Sequence, residues 1–313
     1  MKKNIIKSII FISILLILIE GLTWLLLPGF NICEFGTFKV ANYEILGEDQ
    51  DTIEAVFVGD SLVYSSLSPM EIWNEYGYTT FDCAEAAQVI SDAYENIKVA
   101  IDSQHPKYIF MEANVILRDP SKREWGDKIA HEAKKYFPLA KFHDNWKSYV
   151  TKGTKENWIN ANKGYKYITK IVPSEPNNYM KYSKKLRDIP EGNLDYFEKI
   201  VDECNKNDVT LVLVSFPTQN AWGYRKHNTI EKVANEHNIE FIDLNLVDLG
   251  IDWRIDTKDD GSHLNYTGAK KVSHYMGNYL KELGIFTDYR NDEDYKSWNI
   301  AYKKYENNKL GDN

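Results

Sequence analysis

The stretch from Ala55 to Ser61, AVFVGDS, joins an uninterrupted apolar run to a polar turn that ends in a serine. Short apolar runs bounded by turn residues are typical of strands buried in a parallel sheet. Open α/β sheets bind their ligands at the carboxyl edge, so Ser61 is expected there. Gly59 is expected to permit an unusual backbone conformation in the turn, and Asp60 to bind the amides of its neighbours.

Strand and helix signals alternate on both sides of this stretch. Further strands are predicted at 79–82, 108–111, 210–215 and 239–244. Helices are predicted at 69–76, 91–103, 194–205, 229–237 and 267–283. Strands separated by helices of this length indicate a parallel sheet covered on both faces. The predicted fold class is therefore α/β.

A second motif, DGSH at 260–263, lies just before the predicted closing helix. His263 is a candidate general base, and Asp260 is the expected carboxylate that orients its ring and stabilises the imidazolium. The competing carboxylates are those of Asp256 and Asp259. Together with Ser61, these residues supply the nucleophile, the base and the orienting group that acyl transfer through a serine ester requires.

Residues 5–27 form an almost continuous apolar stretch, interrupted by Lys7 and Glu20. Its length is about that of a helix that crosses a bilayer, roughly 20 residues. Lysines flank its start and mainly acidic residues follow it, which predicts a cytoplasmic N-terminus with the remaining chain outside. An uncleaved membrane anchor over 1–27 is expected rather than a cleaved signal peptide, which has a shorter apolar region and a small-residue cleavage site.

The rest of the chain divides into a linker at 28–51, a domain at 52–286 and a polar tail at 287–313 that is expected to be peripheral. Within the domain, residues 115–193 break the strand–helix alternation and are rich in Lys, Tyr, Trp and Asn. We interpret them as an insertion over the catalytic edge that contacts substrate. The alternative is a solvated helical pair, with patches such as 128–136, that has no ligand role.

Composition argues against several classes of function. The formal net charge of −8 disfavours a nucleic-acid partner, because phosphate binding needs a basic face. The three cysteines, Cys33, Cys83 and Cys204, are scattered and match neither a disulfide framework nor the spacing of a metal site. No metal and no other cofactor is therefore expected.

The two motifs resemble those of the SGNH/GDSL hydrolase superfamily, whose motif blocks begin with G-D-S and end with D-x-x-H. Residues 59–61 match the first block and 260–263 the last, and the resemblance spans roughly 52–284. The stretch 260–271, DGSHLNYTGAKK, is also similar to a subset of membrane-anchored bacterial members. The resemblance implies a flavodoxin-like domain of three α/β/α layers and a serine nucleophile.

The two middle blocks of the superfamily depart from its pattern here. The second block supplies an oxyanion-hole glycine, but the segment after the second strand has none, and the backbone amide of Ala84 is the expected donor. The third block, G-x-N-D, keeps only Asn114, whose side-chain amide is the expected third donor beside the amides of Ser61 and Ala84. The alternative for Asn114 is a loop-capping role. Trp222 is expected to be either a sugar-stacking wall or a core aromatic.

The resemblance also implies a reaction. His263 takes the proton of Ser61 as it attacks an ester, an acyl-serine forms, and water or a hydroxyl acceptor resolves it. A single-span anchor that holds such a domain outside the cell is similar to proteins that O-acetylate alginate or peptidoglycan, or D-alanylate teichoic acids. These act beside a membrane-bound O-acyltransferase, which is the implied partner.

The first hypothesis is therefore an extracytoplasmic O-acyltransferase, with acetyl as the expected group and a cell-envelope polysaccharide or teichoic-type polymer as the acceptor. A second hypothesis is an esterase that removes such groups. A third is an inactive SGNH domain that binds glycans as a scaffold subunit. The altered middle blocks favour the scaffold, whereas the presence of Ser61, Asp260 and His263 argues against it.

Overall fold

A computed structural model describes residues 2–26, 44–122, 160–175 and 177–311. In this part of the chain, five parallel strands form one sheet: β1 (Ala55–Gly59), β2 (Thr80–Ala84), β3 (Tyr108–Glu112), β4 (Thr210–Ser215) and β5 (Glu240–Asp243). Their order across the sheet is β2-β1-β3-β4-β5, the flavodoxin-like order. The predicted α/β class with a parallel sheet is confirmed.

The described helices are α1 (Lys2–Leu26), α2 (Ser61–Ser66), α3 (Pro69–Tyr76), α4 (Ile90–Gln104), α5 (Asn114–Leu117), α6 (Asn193–Lys206), α7 (Tyr224–His237), α8 (Tyr266–Leu283) and α9 (Lys296–Gly311). Short 3-10 turns lie at Ile45–Gly47, Pro120–Lys122 and Glu293–Tyr295. Apart from α1 and the turn at Pro120–Lys122, these elements belong to one compact unit that includes the whole sheet.

Helices cover both faces of the sheet because side chains alternate along each buried strand. On one face, Val56 and Val58 of β1 share an apolar core with Phe197 of α6. On the other face, Phe57 stacks on Phe110 of β3, with ring centroids 4.7 Å apart. Phe110 also meets the edge of Tyr279 on α8, so α8 packs opposite α6. The three layers expected from the resemblance are present.

The C-terminal segment is not the peripheral polar tail that was predicted. Trp298, Ala301 and Tyr305 of α9 are buried, because their spacing places them on one face of the helix. Trp298 packs against Trp73 of α3 at 5.3 Å between ring centroids, and the hydroxyls of Tyr305 and Ser68 lie 3.0 Å apart. Lysines and asparagines on the other faces of α9 hide this pattern in the sequence.

The end of the predicted linker also belongs to the folded unit. Ile45 is fully buried, and Glu48 accepts a hydrogen bond from Nζ of the buried Lys163 at 2.5 Å. The folded part therefore begins before residue 52, where the domain was predicted to start. The remainder of the linker, at 28–43, and most of the predicted insertion, at 123–159 with its helical patch, lie outside the described residues.

Helix α1 forms its own element at the N-terminus. Its segment Asn4–Leu22 is long and apolar enough to cross a membrane, by length and composition. A membrane anchor and a signal sequence share these two properties, so the uncleaved anchor and its orientation stay predictions.

Candidate active site

The turn after β1 presents Ser61 at the carboxyl edge of the sheet, as predicted. Asp60 is the N-cap of α2, and its Oδ1 accepts a hydrogen bond from the backbone N–H of Leu62 at 2.8 Å. Ser61 is consequently the first residue of α2. The first N–H groups of a helix have no acceptor within that helix, so the Ser61 amide is left for an external acceptor.

Gly59 is needed for space rather than for backbone conformation. Its φ does not fall in the left-handed region, so the expected unusual conformation is wrong. A Cβ at Gly59 would lie 2.4 Å from Cβ of Glu112 and 2.7 Å from Cγ2 of Val63. Any larger residue here would push β3 or α2 away and displace Ser61.

The structure brings Ser61 and His263 together and adds a carboxylate. His263 Nε2 lies 2.7 Å from Ser61 Oγ, and His263 Nδ1 lies 2.6 Å from Oδ2 of Asp259. The backbone N–H of His263 also donates to Oδ1 of Asp259 at 2.7 Å. Ser61, His263 and Asp259 thus form one continuous chain of contacts, the arrangement that a serine nucleophile with its base and orienting carboxylate requires.

The orienting carboxylate is that of Asp259, so the assignment to Asp260 is wrong. Asp260 and Gly261 both have left-handed backbones, with φ of 57° and 79°. These two residues reverse the chain and leave the Asp260 side chain exposed. The side chain of Thr257 stabilises this turn. Its Oγ1 accepts a hydrogen bond from the backbone N–H of Gly261 at 2.9 Å and donates one to the His263 carbonyl at 2.9 Å. Asp259 therefore binds both the backbone N–H and the ring of His263.

Asn114, at the start of α5, is oriented by a residue that the sequence did not single out. Nζ of Lys226 donates to Oδ1 of Asn114 at 2.7 Å, and Asn114 N donates to Oε1 of Glu112 at 2.9 Å. Because an ammonium holds its carboxamide oxygen, the NH₂ group of Asn114 remains the free end of the side chain. The N-cap of α5 is Ala113, so the loop-capping alternative for Asn114 is not realised.

Ala84 is the last residue of β2, which lies at the edge of the sheet. The backbone N–H of Asp82 donates to the Lys163 carbonyl at 2.9 Å, and that of Glu85 donates to the Gly59 carbonyl at 3.1 Å. By the alternation of a strand, the Ala84 N–H points to the same side as that of Asp82, away from β1. The Ala84 N–H therefore takes no part in the hydrogen bonds between β1 and β2.

Buried charges lie directly behind the serine turn. Asp60 pairs with Arg118, which follows α5, and Glu112 is fully buried at the end of β3. Burial, reinforced by the Asp60 carboxylate, raises the pKa of Glu112 well above its ordinary value. Burial also lowers the pKa of Lys226, although Glu112 opposes that shift. The sequence carried no signal for these contacts, because Arg118 and Lys226 are distant from both motifs.

A lysine contacts α2, the helix that begins at Ser61. Nζ of Lys258 donates to Oγ of Ser65 at 2.7 Å and lies 5.8 Å from the centroid of the Tyr64 ring. Burial lowers the pKa of Lys258 to about 8, with Asp259 acting in the opposite direction. Its position immediately before Asp259 is the one sequence feature that relates it to the site.

Trp222 is mainly a core aromatic, which resolves the two alternatives for it. Its side chain is only 6% exposed, and its Nε1 donates to Oδ2 of Asp243 at 3.0 Å. Trp222 also lines a surface groove together with Tyr179 and Lys226. Stacking of a sugar on the full face of Trp222 is excluded by this burial.

Among the described residues, no group of three or more His, Cys, Asp or Glu side chains is arranged to hold a metal ion. Cys83 and Cys204 are buried free thiols, and Cys33 lies outside the described residues.

No protein-family model and no curated protein matches the sequence. Solved structures similar to this chain include a GDSL-like lipase from Bacteroides thetaiotaomicron, at 11% identity and a TM-score of 0.40 over 80% of this chain and 100% of that one. A lipase/acylhydrolase from Enterococcus faecalis is 12% identical, at a TM-score of 0.39, over 75% and 98% of the two chains. A family 3 carbohydrate esterase from Clostridium thermocellum is 14% identical, at 0.37, over 74% and 96%.

Proposed function

We propose that this protein is an extracytoplasmic serine acyltransferase that esterifies a cell-envelope polysaccharide or teichoic-type polymer, with acetyl as the expected group. The observation that carries the proposal is the chain of contacts from Ser61 Oγ through His263 to Asp259, at 2.7 and 2.6 Å. Distances of this size allow the imidazole to take and return the serine proton without rearrangement.

The first half-reaction follows from these contacts. His263 Nε2 accepts the proton of Ser61 as Oγ attacks the carbonyl carbon of the acyl donor, and Asp259 stabilises the imidazolium through Nδ1. The carbonyl oxygen becomes an oxyanion that the N–H groups of Ser61 and Ala84 and the amide of Asn114 stabilise. Collapse breaks the bond to the leaving group, which takes the proton from His263, and an acyl-serine remains.

In the second half-reaction, His263 removes a proton from a hydroxyl of the acceptor, which attacks the acyl-serine. The bond to Ser61 Oγ breaks, and the serine regains its proton from His263. If water is the acceptor, the same steps give hydrolysis. The partial exposure of His263, 24% of its side chain, lets water reach the base, so an esterase is the second candidate.

Membrane location and partnership belong to the same proposal. The apolar α1 supports an anchor that holds the catalytic unit beside the outer face of the membrane. There, a membrane-bound O-acyltransferase that carries acyl groups across the bilayer is the proposed partner and donor. An inactive glycan-binding scaffold is disfavoured because a serine, a histidine and a carboxylate in mutual contact have no role in a scaffold.

The test uses the full chain in detergent with p-nitrophenyl acetate, following p-nitrophenol release and the intact mass of the protein. An acetyl group trapped on Ser61, or the loss of turnover in Ser61→Ala, supports Ser61 as the nucleophile. Ser262→Ala is the matched control, because Ser262 lies next to His263 and contacts Asn220 instead. Product that moves onto an added oligosaccharide supports the transferase, and free acetate supports the esterase. Equal rates for the native chain and Ser61→Ala would overturn both.

A further inference from the structure

A groove of about 490 Å³ opens between the segment 179–187 and the start of α7. Its charged lining is entirely basic among the described residues: Lys181, Arg187, Arg225 and Lys226. This contrasts with the chain as a whole, whose formal net charge is −8. Four cations in one groove of an acidic protein create a local field that attracts anions.

The groove reaches the active site through Lys226. Its Nζ lies 2.7 Å from Oδ1 of Asn114. Asn114 follows β3, which pairs with β1, and Ser61 follows β1. A chain that lies in the groove therefore has its inner end beside the oxyanion donors. Its outer end lies at Tyr182 and Lys181, which are exposed.

Two of the cations are bound by hydrogen bonds within the protein, and the other two are available to bind a ligand. Arg225 donates through Nε and Nη2 to the Leu186 carbonyl, and Lys226 donates to Asn114 and to the Ala221 carbonyl. In the described part of the chain, the side chains of Arg187 and Lys181 have no hydrogen-bond or ion-pair partner. Unpaired cations held in one groove repel each other unless an anion binds between them.

The groove also offers aromatic surface. Tyr182 is 66% exposed and lies edge-on to Tyr224, with ring centroids 5.1 Å apart. Exposed aromatic faces are apolar platforms with a polar tip, which suit a sugar or polyol that carries both apolar C–H and hydroxyl groups. Aromatic surface beside an unpaired guanidinium therefore fits a hydroxylated chain with anionic groups, since a guanidinium binds phosphate or carboxylate in a bidentate manner.

We propose that this groove is the acceptor site and that Arg187 and Lys181 select a chain bearing anionic groups, phosphodiester or carboxylate, over a neutral glycan. The inference rests on the proposed function, because an acceptor is needed for transfer. It narrows the substrate class of that function to an anionic polymer whose hydroxyls are esterified close to its charged groups.

The experiment measures binding separately from chemistry. Full-length protein carrying Ser61→Ala, in detergent, is titrated with three probes of equal length: a glycerol-phosphate hexamer, hexagalacturonate and maltohexaose. We expect one of the two anionic hexamers to bind at least about tenfold more tightly than maltohexaose, with an affinity that falls as salt rises. The anionic probe that binds more tightly identifies the charged group.

Arg187→Gln and Arg187→Lys are the informative variants, and Lys184→Gln is the matched control because Lys184 is exposed and does not line the groove. We expect Arg187→Gln to weaken binding of the anionic hexamer by about tenfold. Arg187→Lys should retain part of the affinity, and Lys184→Gln should match the parent protein.

Equal affinity for all three probes, or equal losses in Arg187→Gln and Lys184→Gln, would overturn the inference. The proposed function is tested independently by acetylation of Ser61 with p-nitrophenyl acetate, which needs no acceptor. An acylated serine with no preference for anionic probes would leave the proposed function standing while the groove assignment fails.

Discussion

Two histidine–aspartate pairs lie at the same edge of the sheet, and they have different partners. In one pair, Nδ1 of His263 lies 2.6 Å from Asp259, and Nε2 lies 2.7 Å from Oγ of Ser61. In the other pair, Nδ1 of His227 lies 2.8 Å from Asp243, and Nε2 faces the Glu231 carboxylate at 3.8 Å. The group on the second nitrogen is a serine hydroxyl, the proposed nucleophile, in one pair and a second carboxylate in the other.

The two carboxylates also differ in what they bind. The side chain of Asp259 is 41% exposed, and its oxygens accept from the ring and the backbone of His263. The side chain of Asp243 is 4% exposed and also accepts from Trp222 Nε1 and from Ser215 Oγ. A histidine–aspartate pair is therefore not a catalytic signature by itself. Access to solvent and the group on the second nitrogen decide its role.

The His227–Asp243 pair nevertheless contributes to the geometry around the proposed catalytic pair. His227 lies in the first turn of α7 and ties that turn to the end of β5 through Asp243. The preceding residue, Lys226, holds the carboxamide oxygen of Asn114. The buried pair thus lies beside the lysine that orients Asn114, the proposed oxyanion donor.

The largest expected effect is the difference in activity between variants of Ser61 and Ser215, the two serines that contact these pairs. Ser61→Ala removes the nucleophile, so esterase activity should fall by on the order of 10⁴-fold or more while the free energy of unfolding stays unchanged. Ser215→Ala should do the reverse, with a stability loss of about 1 kcal/mol. Initial rates with p-nitrophenyl acetate and urea unfolding measure the two quantities. Similar activity losses in both variants would erase the distinction between the pairs.

The second prediction compares neighbouring aspartates. Asp259→Asn keeps the shape of the side chain but loses the charge that stabilises the His263 imidazolium, so kcat should drop by on the order of 10³-fold. Asp260→Asn should stay within about threefold of the native rate, because that side chain points to solvent. Steady-state kinetics on both variants decide the matter. A greater loss of kcat in Asp260→Asn would assign the orienting role to Asp260, at the D-x-x-H spacing typical of the superfamily. It would contradict the observed turn.

The third prediction concerns the link between the two regions. Asn114→Ala should lower kcat by about 10²-fold, since it removes one oxyanion donor. Lys226→Met leaves the amide in place but frees its orientation, so the loss in kcat should be smaller, about tenfold. The kcat values of both variants, each normalised to acylated Ser61 by intact mass, provide the measurement. An unchanged kcat in Asn114→Ala would remove this residue from the oxyanion hole.

The smallest expected effect is a pH dependence of stability. The hydrogen bond to Asp243 raises the pKa of His227 against the opposing effect of burial. Burial acts to raise the pKa of Asp243, but hydrogen bonds, first of all from His227, outweigh it and lower that pKa. A raised histidine pKa stabilises the fold fully below the unfolded value of about 6.5, and this contribution disappears as pH rises through the folded value.

His227→Gln should therefore lose about 1–2 kcal/mol of stability near pH 5.5 and less near pH 9. Urea unfolding of both proteins at the two pH values gives the comparison. Lys232→Gln, on an exposed part of α7, is the control and should show no such difference. A loss that grows toward alkaline pH would contradict the assigned direction of the His227 shift.

The fold was largely predictable because its strands are short apolar runs that only a doubly covered sheet can bury. All five strands lie within a few residues of their predicted bounds, and α8 begins next to its expected start. The prediction failed for α9, where Trp298 and Tyr305 alternate with lysines and the partner surface on α3 is more than 200 residues away in sequence. Periodicity cannot reveal a partner that only tertiary packing provides.

The sequence by itself determined the parallel sheet, the place of Ser61 at its carboxyl edge and the candidacy of His263, because these follow from local patterns and strand polarity. Only the tertiary structure decided between Asp259 and Asp260, because two left-handed residues in one turn set the direction of each side chain. It also decided that Lys226 orients Asn114, at 2.7 Å across 112 residues of sequence. Contacts between side chains that are distant in sequence depend on tertiary packing, which no local sequence pattern predicts.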